Sequence, residues 1–100
     1  MIEFPKNKLA VFCRKHHIQK LAFFGSVLRD DFRPDSDIDV LVEFEPGKTP
    51  GFAFVSIADE LQGIFGREVD LLTYKGVESS KNYIRRKSIL ESARVIYATR

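Results

Sequence analysis

Two aspartates stand one residue apart where an apolar run begins: Asp37 and Asp39 flank Ile38, and Val40-Leu41-Val42 follows. In a β-strand, residues i and i+2 point to the same face, about 6–7 Å apart at their Cα atoms. Two carboxylates held there repel each other and resist removal from water. A hard cation such as Mg²⁺, which prefers oxygen ligands, would explain the pair. The alternative is an exposed strand end or a turn cap, which an isolated Asp-x-Asp favours.

A Gly-Ser step precedes this pair. Gly25-Ser26 follows the apolar Phe23-Phe24, where a strand would turn into a short helix. Backbone N–H groups at a helix start, together with the serine hydroxyl, can bind phosphate oxygens, and glycine allows a close approach of the backbone. The alternative is an ordinary turn in which Ser26 is the N-cap.

A third acid, Asp70, lies in an otherwise apolar stretch, Val69-Asp70-Leu71-Leu72. If this strand lies beside the strand of Asp37 and Asp39, the three carboxylates could hold two metal ions about 4 Å apart. The alternative is an acid on an edge strand that faces water.

The elements that must position these residues follow from hydrophobic periodicity and from the breaks made by glycine and proline. The pattern predicts strands over 18–24, 38–44, 68–74 and 95–97, and helices from Pro5 to about 16, over 26–30, over 54–65 until Gly66, and from Ser79 or Ser80 to about 92. This order indicates an α/β fold, a small mixed sheet packed with helices in a single domain over residues 1–100.

Composition limits the function classes. A formal net charge of +2 does not favour direct nucleic-acid binding. The single Cys13 excludes an internal disulfide, and with His16 and His17 it falls short of the four ligands of a zinc site. The N-terminus resembles no signal peptide and no apolar run could span a membrane, so a cytoplasmic location is expected.

Two surface features are open to more than one interpretation. A basic cluster near the C-terminus is expected to be a solvated helix face, although it could bind phosphate, RNA or an acidic partner; it comprises Lys81, Arg85, Arg86 and Lys87. Phe52 and Phe54 beside the Pro50-Gly51 loop suggest a partner or lid surface, with core packing as the alternative for Phe54.

The three acids and the Gly-Ser step together resemble the polymerase-β-like nucleotidyltransferase superfamily. The chain is most similar to the minimal nucleotidyltransferases, or MNT proteins, whose signature resembles the segments 24–29, 34–42 and 66–72. Asp30 departs from that signature, because these proteins often carry glycine after the position of Arg29.

The resemblance implies a polymerase-β-like fold and a role for each matching residue. Asp37 and Asp39 would ligate two Mg²⁺ ions, and Asp70 would bind the catalytic metal and help to deprotonate the attacking hydroxyl. Gly25 and Ser26 would hold the outer phosphates of ATP. Arg29 would contact phosphate or act structurally, with a surface ion pair to Asp30, Asp31 or Asp35 as the alternative.

The resemblance also implies a partner. MNT proteins act as antitoxins paired with HEPN-family ribonuclease toxins, which suggests transfer of AMP from ATP to a toxin tyrosine. One alternative is an antitoxin that neutralises its partner by binding alone. Another is nucleotidyl transfer to a small molecule or an RNA end. The sequence leaves a homo-oligomer open.

Overall fold

The computed structural model describes residues 3–29 and 32–99. Nine elements follow one another along the described residues. In chain order they are α1 (Lys6–Lys15), β1 (Ile18–Phe24), a 3₁₀ turn (Gly25–Leu28), β2 (Ile38–Phe44), α2 (Ala53–Phe65), β3 (Val69–Thr73), α3 (Tyr74–Glu78), α4 (Tyr83–Ser92) and β4 (Arg94–Ala98).

The four strands form one sheet in the order β3-β2-β1-β4. Strand β1 pairs antiparallel with both β2 and β4, whereas β2 pairs parallel with β3. A parallel pair requires a crossover connection, and α2 provides it. The prediction of a small mixed sheet packed with helices is therefore confirmed.

The central strands β1 and β2 are buried on both faces of the sheet along their apolar runs, 21–24 and 40–42, as those runs predict. On one face, Phe12 and Leu61 bring α1 and α2 against Phe23 in the larger core cluster. On the other face, Val77 of α3 and Ile89 of α4 pack in a smaller cluster. The helices thus cover both faces of the sheet. A functional site is therefore expected at an end of the sheet, where the strands meet the connecting turns.

The region after β3 differs from the prediction. Tyr74, expected to end the strand, begins the short helix α3, which is capped by the Thr73 hydroxyl accepting the Gly76 N–H at 2.9 Å. The final helix begins later than expected, and its cap is Asn82, whose side chain accepts the Arg85 N–H at 3.1 Å. Of the two predicted caps, Ser79 instead donates its hydroxyl to the Lys75 carbonyl of α3, and the Ser80 hydroxyl accepts the Asn82 N–H at 3.2 Å.

Other predicted boundaries agree with the structure. Gly66 ends α2 with a left-handed φ of 72°, the conformation that glycine adopts without steric cost. The helix expected over 26–30 is the 3₁₀ turn, and residue 30 lies outside the described residues.

Cys13 and His16 contribute to the packing and the end of α1. Cys13 is buried in the core, and desolvation by burial raises the pKa of its thiol to about 12. His16 caps the end of α1 and lies 3.3 Å from the Glu60 carboxylate. No helix in the described part of the chain has the length and apolar character needed to cross a membrane.

Candidate active site

The register between β2 and β3 brings two of the predicted acids together. Asp39 and Asp70 are direct partners in the parallel pair, and the Ile38 N–H donates to the Glu68 carbonyl at 3.0 Å where the pairing begins. Asp37 immediately precedes β2. All three aspartates therefore lie at the end of the sheet where β1 ends and the Gly-Ser step begins.

Gly25 lies against the carboxylate of Asp39. Phe24, the last residue of β1, pairs with Asp39, and the next residue, Gly25, has a left-handed φ of 71°. A Cβ atom at Gly25 would lie 3.3 Å from Asp39 Cγ and would overlap Oδ2. Both the backbone conformation and the close contact therefore require glycine at this position.

Electrostatics at Asp39 reflect the crowding of acids. Desolvation by burial raises the pKa of its carboxyl most strongly, and the charge of Asp70 raises it further, with a smaller contribution from Asp37. Two groups oppose this shift: the Ser26 backbone N–H donates to the carboxylate, and the guanidinium of Arg85 attracts it. The site therefore concentrates negative charge on a half-buried carboxylate, an arrangement that favours a bound cation.

The donor set suits Mg²⁺, because all three candidate ligands are carboxylate oxygens. Asp37 and Asp70 are exposed, whereas Asp39 is half-buried. Although the three residues are neighbours at one end of the sheet, their carboxylates do not converge: across the described residues, no three His, Cys, Asp or Glu side chains are grouped closely enough to hold a metal ion. Like-charge repulsion opposes convergence, so the metal-binding role of these three residues stays a prediction.

Ser26 and Arg29 occupy the 3₁₀ turn and its end. The Ser26 backbone N–H lies near the Asp39 carboxylate and lowers its pKa, an interaction that competes with the phosphate binding that the sequence suggested for this N–H. The half-buried Ser26 side chain remains a candidate phosphate ligand. The Arg29 N–H donates to the Ser26 carbonyl at 3.0 Å, and the Arg29 side chain is exposed. Its suggested partners at positions 30 and 31 lie outside the described residues.

Arg67, to which the sequence assigned no role, braces the turn before Asp37. Its Nη1 donates to the backbone carbonyls of Arg33 at 3.2 Å and Ser36 at 3.4 Å. Its guanidinium also stacks on the Phe32 ring, 4.8 Å from the centroid. A sequence pattern does not predict contacts between a side chain and distant backbone carbonyls. The sequence therefore placed Arg67 in the family signature without predicting its role.

Replacing Arg67 with methionine is expected to reduce transfer activity about tenfold, because the turn that positions Asp37 loses its two hydrogen bonds while the apolar stem is kept. Steady-state kinetics of the nucleotidyl transfer that the family resemblance implies would measure this loss. Arg14, exposed on α1, offers the matched control, since Arg14→Met should leave the rate unchanged. Equal rates for Arg67→Met and the wild type would show that Arg67 does not position Asp37.

Arg85 is the second residue whose position the sequence did not reveal. The basic cluster was expected to form a solvated face, and the Arg85 side chain is indeed exposed. Its charge nevertheless lowers the pKa of Asp39, so α4 directs a cation toward the acidic site. This proximity depends on how α4 packs on the sheet, which periodicity alone does not determine.

Comparison with known proteins defines the class. A nucleotidyltransferase domain matches residues 6–96, and the chain belongs to this family. The chain is 39% identical over 72 residues to a candidate protein adenylyltransferase of Methanocaldococcus jannaschii, covering 72% of this chain and 76% of that protein. It is 32% identical over 63 residues to the protein adenylyltransferase MntA of Thermococcus cleftensis, covering 62% of each. The prediction of a nucleotidyltransferase enzyme of the MNT type is confirmed.

Solved structures share the fold. A candidate minimal nucleotidyltransferase superposes with a TM-score of 0.67 at 30% identity, over 89% of this chain and 86% of that one. A toxin–antitoxin structure with AMP-PNP gives a TM-score of 0.69 at 21% identity, over 95% and 74% of the two chains. A complex of a tri-AMPylated Shewanella oneidensis HEPN toxin with its MNT antitoxin gives 0.62 at 21% identity, over 94% and 70%.

Proposed function

We propose that this chain is an Mg²⁺-dependent protein adenylyltransferase that transfers AMP from ATP to a tyrosine of a HEPN-family toxin and thereby acts as an antitoxin in the cytoplasm. The observation that carries the proposal is the pairing of Asp39 with Asp70 beside the Gly25-Ser26 step. The names of its adenylyltransferase relatives and of the AMPylated toxin complex support the choice of nucleotide and acceptor.

Binding of the nucleotide would use the end of the sheet near β1. Asp37, Asp39 and Asp70 would hold the two Mg²⁺ ions, which when bound neutralise phosphate charge and clamp the attacking and leaving oxygens. Gly25 permits the close packing at Asp39, and the Ser26 hydroxyl would donate to an outer phosphate oxygen. Arg29 is exposed at the end of the 3₁₀ turn and would contact the same phosphates.

Transfer would begin when the acceptor hydroxyl reaches Asp70. The Asp70 carboxylate is exposed, so an incoming side chain has access to it. Asp70 would accept the tyrosine proton as the phenolic oxygen bonds to the α-phosphorus. The bond from that phosphorus to the bridging oxygen breaks, and pyrophosphate leaves. Positioning and charge neutralisation supply most of the rate in such a reaction.

The proposal is tested by intact-mass analysis. The chain is incubated with ATP, Mg²⁺ and the HEPN-family protein encoded by the adjacent reading frame, and the expected result is an acceptor heavier by one or more AMP units. Omitting the Mg²⁺ or adding a chelator should abolish the mass shift. An Asp37→Asn/Asp39→Asn variant separates catalysis from binding: if that variant neutralises the toxin fully and no mass shift occurs, the chain acts by contact alone. Labelled nucleotide on RNA or a small molecule, but not on the protein, would indicate a different acceptor.

Replacing Asp70 with asparagine is expected to reduce transfer at least about 100-fold, because the variant loses the proton acceptor and a charged metal ligand. The exposed side chain contributes little packing, so the thermal unfolding midpoint should change little. Single-turnover AMP transfer and thermal unfolding would measure the two effects. Asp59, exposed on α2, supplies the control Asp59→Asn, which should keep the wild-type rate. A wild-type rate for Asp70→Asn would exclude Asp70 from the chemistry.

A further inference from the structure

A cleft of about 520 Å³ runs along the free edge of β3. Phe54 of α2 and the preceding loop form one wall, and α3 and α4 form the other through residues such as Val77 and Ile89. Among the residues that the structure describes, the charged ones in its lining are Arg85 and Arg86. The cleft is therefore mostly apolar and carries positive charge on one wall.

Exposed apolar side chains are next in sequence to lining residues on both walls. Phe52, fully exposed at 102%, directly follows the lining residue Gly51, and Val55 follows Phe54. On the other side, Ile84 is 80% exposed and precedes Arg85. Exposed apolar side chains grouped around a cleft mark an interaction surface more often than a solvated one.

The two arginines are held differently. Arg86 Nη1 donates to the Ser80 carbonyl at 2.8 Å, and its guanidinium lies 5.3 Å from the Tyr83 ring centroid. These two contacts hold the Arg86 guanidinium against the cleft wall. The Arg85 side chain is exposed, and its charge reaches Asp39. Arg85 is therefore the cation that is better placed to pair with an acidic group of a ligand.

The cleft lies next to the candidate active site along β3, although none of the three aspartates is in its lining. Leu71, which lines the cleft, directly follows Asp70 along the strand. A molecule that fills the cleft and extends one residue beyond Leu71 along this edge would reach Asp70. Since β3 is an edge strand, its free backbone groups could also pair with an extended segment of that molecule.

We propose that this cleft docks the protein acceptor, through an extended apolar segment with an acidic side chain that pairs with Arg85, and so delivers the acceptor hydroxyl to Asp70. This inference rests on the proposed function and identifies the surface that selects the acceptor. The lining favours a polypeptide over RNA, because RNA binding depends on many phosphate contacts and the described residues of the lining offer two cations.

Binding and transfer are measured separately to test the docking surface. Affinity for the adjacent-frame HEPN-family protein is measured without nucleotide for Phe52→Ser, Ile84→Ser and Arg85→Gln, and each should weaken binding at least about tenfold. In AMP transfer, Phe52→Ser and Ile84→Ser should raise KM for the acceptor and leave kcat and AMP-PNP affinity unchanged. Val11 on α1 is also exposed, and Val11→Ser serves as the control that should bind normally.

The outcomes distinguish the docking surface from the reaction. Wild-type affinity and KM in the Phe52→Ser/Ile84→Ser double variant, or an equal loss in Val11→Ser, would overturn the docking surface and leave AMP transfer intact. RNA binding would also overturn it: an RNA oligonucleotide that binds the chain, and whose affinity falls in Arg85→Gln but not in Phe52→Ser or Ile84→Ser, would show that the surface binds RNA. Cleft-dependent binding without AMP transfer would support the docking surface and contradict the proposed reaction.

Discussion

Replacing Gly25 with alanine is expected to reduce AMP transfer at least about 100-fold, because a misplacement of about 1 Å at a reacting group has an effect of that size. The new Cβ would overlap the Asp39 carboxylate oxygen, and the left-handed backbone would be strained as well. Asp39 would have to leave the Ser26 N–H and its place beside Asp70. Single-turnover transfer at saturating ATP would measure the loss.

Gly47 supplies a matched control for this substitution. Its φ of 77° is close to that of Gly25, but no atom lies within 4 Å of a Cβ built there. Gly47→Ala should therefore cost a similar backbone strain, about 1 kcal/mol, and leave transfer activity unchanged. If the two variants lose activity equally, the effect arises from the backbone and not from the contact with Asp39.

Replacing Asp39 with asparagine is expected to reduce transfer about 1000-fold and, in the presence of a chelator, to raise the thermal unfolding midpoint at neutral pH. Burial and the neighbouring Asp70 raise the pKa of Asp39 in the folded state, so the ionised carboxylate destabilises the native protein. Asparagine removes that charge, and its side-chain oxygen still accepts the Ser26 N–H. The Asp39 carboxylate is therefore expected to be required for activity and to lower the stability of the fold.

The pH dependence of stability checks this explanation. A raised folded-state pKa means that the native protein is favoured while Asp39 is protonated and loses that advantage as the pH rises through the folded pKa. The stability gained by Asp39→Asn should thus be present at neutral pH and disappear as the pH falls below the ordinary value of 3.8. Thermal unfolding from pH 3 to pH 8 would measure it. A lower midpoint than the wild type at neutral pH would contradict the destabilising role of the charge.

The central part of the fold follows from the sequence. Strands β1 and β2 have the predicted bounds, because each contains an apolar run, 21–24 in β1 and 40–42 in β2, and breaks such as Gly25 after Phe24 limit the strands. The short helix α3 was not predictable from periodicity. It has five residues, less than two helical turns, and depends on the Thr73 cap and the burial of Val77.

The candidate site was predictable only in part. Strand spacing and the family signature identified the three aspartates and the Gly-Ser step. The direct pairing of Asp39 with Asp70 depends on a register between distant strands, which local pattern does not determine. Arg67 and Arg85 were missed as site residues because their positions depend on tertiary packing: one donates to carbonyls of a distant turn, and the other lies on a helix packed across the sheet.

Parallel pairing of β2 with β3 delays assembly of the carboxylates during protein synthesis. An antiparallel hairpin can form as soon as its second strand leaves the ribosome, and β1 with β2 meets that condition. The partner of Asp39, by contrast, arrives only after the whole α2 crossover has been made. A nascent chain that ends before β3 therefore lacks Asp70, and the enzyme should be inactive until β3 has been made and the domain can fold as a unit.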